Sequence, residues 1–279
     1  MVYGGSTLRP LISRVQIGKQ RAEAKKRMWQ ESEAAIGDLL ASETLRSAGR
    51  LDEPTTVSGW WVDRGIEIES QRIDRKFLFE LADKVRSQSD PDWVCFLWHV
   101  FAWGVMGDFR NVAGIAKRTV DRGQRSRLNE ILAVAAEASQ EGEIRKAYRS
   151  LYKKVPNLGP AFFTKFLYFT GDRSSAEPHC LILDSRVSYA IFALTALDFF
   201  AERAATYEGY CHRVAQWSRD YGAAADEIEF RLYQLGQRID SARWKWLRAE
   251  VSLYRSGATD VEFEDILRQL EVVAGREAH

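Results

Sequence analysis

The stretch that decides the fold reads Val155-Pro156-Asn157-Leu158-Gly159-Pro160-Ala161-Phe162-Phe163-Thr164-Lys165. Before it, residues 142–154 have the spacing of an amphipathic helix that must stop short of Pro156, which has no amide hydrogen to donate. After it, Pro160 suits the first position of a second helix, predicted over 160–169. The two helices are expected to meet at a four-residue turn, where Asn157 and Gly159 are residue types that tolerate positive φ. The amides of Gly159 and its neighbours would then stand at a helix N-terminus, a favoured seat for phosphate. Lys153 and Lys154 add positive charge just before the turn.

Working outward, helical periodicity dominates. Residues 18–47 read as one long helix, 51–65 as a loop, and 66–87 as helical again. Asp90-Pro91 looks like a helix start, a cap followed by proline. The helix predicted over 92–106 is apolar almost all round and should be central. Residues 107–110 read as a turn, and two or three short helices carry the chain to Ser139. Further helices are predicted after Asp184 and over 207–221, 225–247 and 261–273. There is no period-2 strand of useful length and no repeat. The fold is read as all-α: one unit over 1–279, with helices in 1–140 and 184–279 flanking a hairpin and catalytic segment at 142–187.

Composition sets bounds. The 279 residues are 46% hydrophobic and 28% charged, with net charge +1, as in an ordinary soluble protein. The charge is uneven: residues 110–127 hold Arg110, Lys117, Arg118, Arg122, Arg125 and Arg127 against Asp121. By itself such a run reads as a solvated helix face. Cys95, Cys180 and Cys211 are too far apart for a zinc ribbon or an iron–sulfur cluster, and isolated cysteines fit a reducing cytoplasm. The N-terminus lacks the apolar core of a signal peptide, and residues 187–201 are too short and polar to span a bilayer. The expectation is a cytoplasmic monomer, away from membranes, needing no metal or other cofactor.

About 25 residues past the turn comes Cys180-Leu181-Ile182-Leu183-Asp184-Ser185-Arg186-Val187. Asp184 follows an apolar approach and can cap a helix beginning at Ser185. A carboxylate fixed there can stay ionised beside a reaction centre. Taken singly, the corner is a structural turn and the aspartate a cap; together, in this order and spacing, they point to a site.

This pairing resembles the helix-hairpin-helix DNA glycosylases, whose hairpin reads roughly Leu-Pro-Gly-apolar-Gly and is followed by an essential Asp in a Val-Asp-x-x-Val-like segment. The matching residues are Val155-Pro156-Asn157-Leu158-Gly159 and Leu183-Asp184-Ser185-Arg186-Val187. The chain looks closest to bacterial proteins with an 8-oxoguanine-glycosylase fold, some of which act in phage defence on hypermodified bases. There are departures. Asn157 replaces the first hairpin glycine, and bulky Phe163 stands where the family has a small residue, so helix packing there must differ. Ala161 occupies the position of the Schiff-base lysine of bifunctional members, Lys165 lies one turn further on the same face, and no iron–sulfur cysteines follow Asp184.

The resemblance implies excision of a modified base, an oxidised purine or a phage-modified cytosine, from double-stranded DNA. Ionised Asp184 would stabilise the developing sugar cation and orient water. Asn157, Leu158, Gly159, Lys153, Lys154 and Arg186 would hold the backbone, leaving an abasic site. An exposed Trp60-Trp61 pair, with Trp103 and His179, would contact the flipped base; His99 reads as a hydrogen-bonded core residue. The rivals are a glycosylase/lyase using Lys165 as nucleophile and a helical DNA-binding protein without catalysis.

Overall fold

The computed structural model describes residues 34, 36–39, 53–105, 107, 109–119, 122–174, 178–195, 203–239 and 241–256. Most of the helix expected over 18–47, and all of that over 261–273, lie outside the described residues. The rest is all-α apart from one small strand pair. In chain order the helices are α1 (Arg75–Arg86), α2 (Trp93–Gly104), α3 (Arg110–Thr119), α4 (Arg122–Gln140), α5 (Ile144–Leu151), α6 (Pro160–Thr170), α7 (Ser185–Thr195), α8 (Ala204–Tyr221), α9 (Ala225–Gln237) and α10 (Ser241–Ser256). Strands β1 (Thr55–Thr56) and β2 (Arg72–Ile73) pair antiparallel, Thr55 opposite Ile73, inside a stretch expected to be loop and then helix. A 3-10 turn, Val62–Arg64, lies between them. Helix α1 starts only after Asp74, whose carboxylate accepts from the Phe77 amide at 2.7 Å.

Helix α2 is the centre, as its all-round apolarity requires: it packs against α1, α4 and α6 and buries Trp93, Phe96, Trp98 and Phe101. Its cap is Asp92, two residues later than the Asp90-Pro91 reading. Tertiary partners decide this. Asp92 accepts from the Cys95 amide at 2.9 Å and pairs with Arg125 at 2.6 Å, and Asn129 of α4 bonds both Pro91 O and the Val94 amide. His99 is a sealed core residue, as read: its Nε2 accepts from the Glu69 amide, so Nδ1 donates to Cys95 O, both at 2.9 Å.

The hairpin is present with a longer connection than expected. Helix α5 stops at Leu151, and residues 152–159 join it to α6. Positive φ falls at Lys153 (59°) and Asn157 (69°), whereas Gly159 is extended at φ −80°, ψ 167°. The extra turn buries Val155 and Leu158 beneath the corner. Phe163 packs edge-on against Tyr148 at 4.8 Å, filling the helix interface where a small residue would have let the helices close up. The helix expected over 225–247 breaks into α9 and α10 around Ile239. Gly236 in α9 lies so close to α7 that a Cβ would fall 1.9 Å from Arg186 O, so only glycine permits this docking.

Candidate active site

Two carbonyl bonds and one amide bond fix the segment that leads to Asp184. The buried Tyr207 and Tyr210 hydroxyls donate to Leu181 O and Ile182 O, each at 2.8 Å, so α8 holds the extended chain in place. The Leu183 amide donates to Thr164 Oγ1 at 3.1 Å, tying it to α6. Thr164 neighbours Lys165, so this one bond sets the register between the lysine and the aspartate. Asp184 then caps α7 as read: its Oδ1 accepts from the Arg186 and Val187 amides at 2.9 and 3.1 Å.

The other carboxylate oxygen, Oδ2, meets Lys165 Nζ at 3.3 Å, and the same ammonium donates to Ala161 O at 2.9 Å. The side chains remain 11% and 13% exposed, so the pair is enclosed but reachable. The lysine stem runs along Gly104 at the end of α2, where any Cβ would come within 2.9 Å of Lys165 Cδ. Thus α2, α6 and the start of α7 converge on one amine and one carboxylate.

Beside them lies a second polar cluster that the sequence reading missed. Arg75 Nη1 donates to the Tyr168 hydroxyl at 2.7 Å and Nη2 to Glu229 at 3.1 Å, and Tyr168 also donates to Asp226 at 3.2 Å. The guanidinium faces the Trp103 ring at 5.6 Å. Burial pushes the Glu229 carboxyl upward; Arg75 opposes that and Asp184 adds to it. Burial works against the Arg75 charge, but Glu229 and Tyr168 more than offset it, so Arg75 stays ionised. One signal was present in the sequence: Ala225, Ile228, Glu229, Leu232 and Gly236 recur at helical spacing, which puts a carboxylate on a buried face.

The other expected site residues divide. Lys153, Lys154 and Asn157 are exposed at the corner, where Asn157 fits against Gly114 of α3; Leu158 is buried beneath it and Gly159 half-buried. Arg186 is exposed next to Asp184, and its guanidinium reaches Ile239 O at 3.4 Å. Trp103 is half-buried and edge-on to Phe169, within reach of Arg75. His179 is buried on the approach to Asp184. The exposed Trp60-Trp61 pair is a correction: Trp61 is 1% exposed in the core, and Trp60 is half-buried and stacked on Phe109 at 4.5 Å. The loop folds back on α2, where Trp61 meets Trp98 at 6.4 Å and burying its apolar indole favours that arrangement. Among the described residues no three His, Cys, Asp or Glu side chains could hold a metal ion, and no helix is long and apolar enough to cross a membrane.

Comparison with curated proteins and with solved structures gives no match. Residues 16–233, well over half of the chain, match a family described as "Putative 8-oxoguanine DNA glycosylase OGG-like protein". That span includes the hairpin, Lys165, Asp184 and Glu229, and with its all-α architecture the chain belongs to this OGG-like DNA glycosylase family.

Proposed function

We propose that the protein excises a modified base from double-stranded DNA, with Lys165 and Asp184 at the reaction centre. The observation that carries this reading is the 3.3 Å approach of Lys165 Nζ to Asp184 Oδ2 in a partly open setting. Loss of the base builds positive charge on deoxyribose C1′, and the Asp184 carboxylate is held by two cap amides where it can oppose that charge.

The same geometry favours the lysine over water as nucleophile. Ala161 cannot attack, but Lys165 lies one turn further on the same face, and its amine reaches Ala161 O at 2.9 Å while facing Asp184. In this route the Lys165 ammonium loses one proton to solvent and its lone pair attacks C1′. The N-glycosidic bond breaks with its electron pair on the base, which takes up a proton. The C1′–O4′ bond then breaks with its electron pair on O4′, which takes up a proton from the attached nitrogen, leaving a Schiff base. Loss of a C2′ proton to water can then expel the 3′ strand as its phosphate. Oxidised purines are the first substrates to test, given the family; hypermodified cytosines of phage DNA are the second, and with them a role in anti-phage defence beside one in repair.

The test is single-turnover base release from 8-oxoguanine duplexes and from modified-base phage DNA, with borohydride present and absent. The expected result is released base and a covalent protein–DNA complex that vanishes in Lys165→Ala. Release without trapping, retained in Lys165→Ala, would return the reaction to water. No release from any of these DNAs, with binding intact, would favour a non-catalytic DNA-binding protein.

A further inference from the structure

We propose that α3 and the start of α4 form a second surface for the phosphate backbone of duplex DNA, continuous with the hairpin corner. The proposal rests on the glycosylase reading only in naming DNA as the polyanion. The basic run that looks like a solvated face in sequence is joined to the corner in space. Asn157 sits against Gly114 of α3, where a Cβ would come within 2.4 Å of its Nδ2. Arg118 Nη1 donates to Pro156 O at 3.1 Å. The corner and α3 therefore present one surface, carrying exposed Lys153 and Lys154 at one end and exposed Lys117 and Arg118 at the other.

What separates this surface from ordinary solvated charge is that it is left uncompensated. On α5, equally basic, Arg145 pairs with Glu208, and Lys146 pairs with Glu143 and with Glu141 at 3.7 Å, while exposed Arg149 alone meets no carboxylate among the described residues. On α3 and α4, Arg125 is engaged by Asp92, while Lys117, Arg122 and Arg127 are exposed and meet no carboxylate among the described residues. Lys117 and Arg125 also border an open cleft of about 790 Å³, lined by Arg64 and by the acids Glu67 and Asp92, so the uncompensated charge stays on the α3 side of it. In a chain of net charge +1, charge segregated in this way attracts a polyanion to one face. A ten-residue helix is about 15 Å long, on the order of four phosphates of one strand measured along the duplex axis. The partner this fits is a backbone, since the charges lie along the helix surface at a spacing comparable to that of phosphates.

The test measures binding of an unmodified 20-base-pair duplex as a function of salt, for the full chain. In Lys117→Ala/Arg122→Ala/Arg127→Ala the slope of log K against log salt should fall by roughly one per lost phosphate contact, with an unchanged melting temperature. Lys153→Ala/Lys154→Ala should lower it again by a similar amount per residue, and Arg145→Ala/Lys146→Ala should leave it alone. A slope unchanged in the triple variant, or lowered as much by the α5 control, overturns the proposal. Base release from 8-oxoguanine DNA at saturating protein is read in parallel. If wild type shows the slope pattern but releases no base, the surface stands and the glycosylase reading falls. If base is released but the triple variant keeps the wild-type slope, the reverse holds.

Discussion

Two cation–carboxylate pairs lie side by side in this molecule, and they differ chiefly in access. Arg75 and Glu229 retain 6% and 2% exposure, whereas Lys165 and Asp184 retain 11% and 13%. In the first pair both charges are committed: the guanidinium serves Tyr168 and Glu229 together, under the Trp103 ring. In the second, one carboxylate oxygen caps α7, the other meets an amine, and both groups border solvent. The same residue chemistry thus takes two forms: sealed, it ties α1, α6 and α9 together; at an opening, it leaves an amine and a carboxylate within reach of solvent.

That contrast can be broken at the sealed pair first, where the largest effect is expected. Arg75→Met leaves Glu229 buried and uncompensated, which costs about 3–5 kcal/mol of stability. Arg75→Met/Glu229→Leu should recover most of that loss, since burying neither charge removes the desolvation penalty. Urea denaturation of the three proteins checks both statements; a single variant as stable as wild type would mean that water already reaches the pair.

Asp184→Asn probes the open pair. Asn caps a helix about as well as Asp, so α7 and the fold should survive. The lost anion should slow base release by about a hundredfold or more, equivalent to roughly 2.7 kcal/mol. Single-turnover release beside a melting curve separates this from a cap-only role, for which activity would stay within a few fold. A melting temperature that falls as steeply as in Arg75→Met would erase the distinction between the pairs.

The smallest effect sharpens the sealed side. His99 is buried, and burial lowers its pKa, with the Cys95 carbonyl opposing. The folded state therefore prefers the neutral ring, whose Nε2 must accept from the Glu69 amide. Its contribution is complete above the unfolded value of 6.5 and is lost as pH falls toward the lower folded value. Stability should decline below about pH 6.5 with a slope from this group of no more than about 1.4 kcal/mol per pH unit. His99→Gln should flatten that limb in acid titrations followed by circular dichroism; an unaltered limb would assign it to other groups.

Local chemistry carried much of this into the sequence. The helix hairpin, the central apolar helix, the Asp184 cap and the sealed His99 follow from periodicity, proline and asparagine placement, and burial of apolar stretches, all of which act over a few residues. Errors arose where distant partners competed with local preference. Asp92 capped α2 in place of Asp90 because, from α4, Arg125 pairs with it and Asn129 bonds Pro91 O and the Val94 amide on either side. Trp61 went inside, against Trp98 of α2 and edge-on to Trp60 and Phe109.

What the sequence determined by itself is the helical class, the hairpin and central helix, and the one carboxylate at a helix start; these depend on backbone propensity and on short-range hydrogen bonds. What only the tertiary structure decided is which charges meet. Lys165 and Asp184 come together because the Thr164 hydroxyl, two buried tyrosines and Gly104 fix α6, α7 and α2 against one another. Glu229 reaches Arg75 across more than half of the chain. The basic run of α3 becomes part of the corner's surface because Gly114 leaves space for Asn157. Coulomb energy depends on separation in space and on exclusion of water, and neither is fixed by distance along the chain.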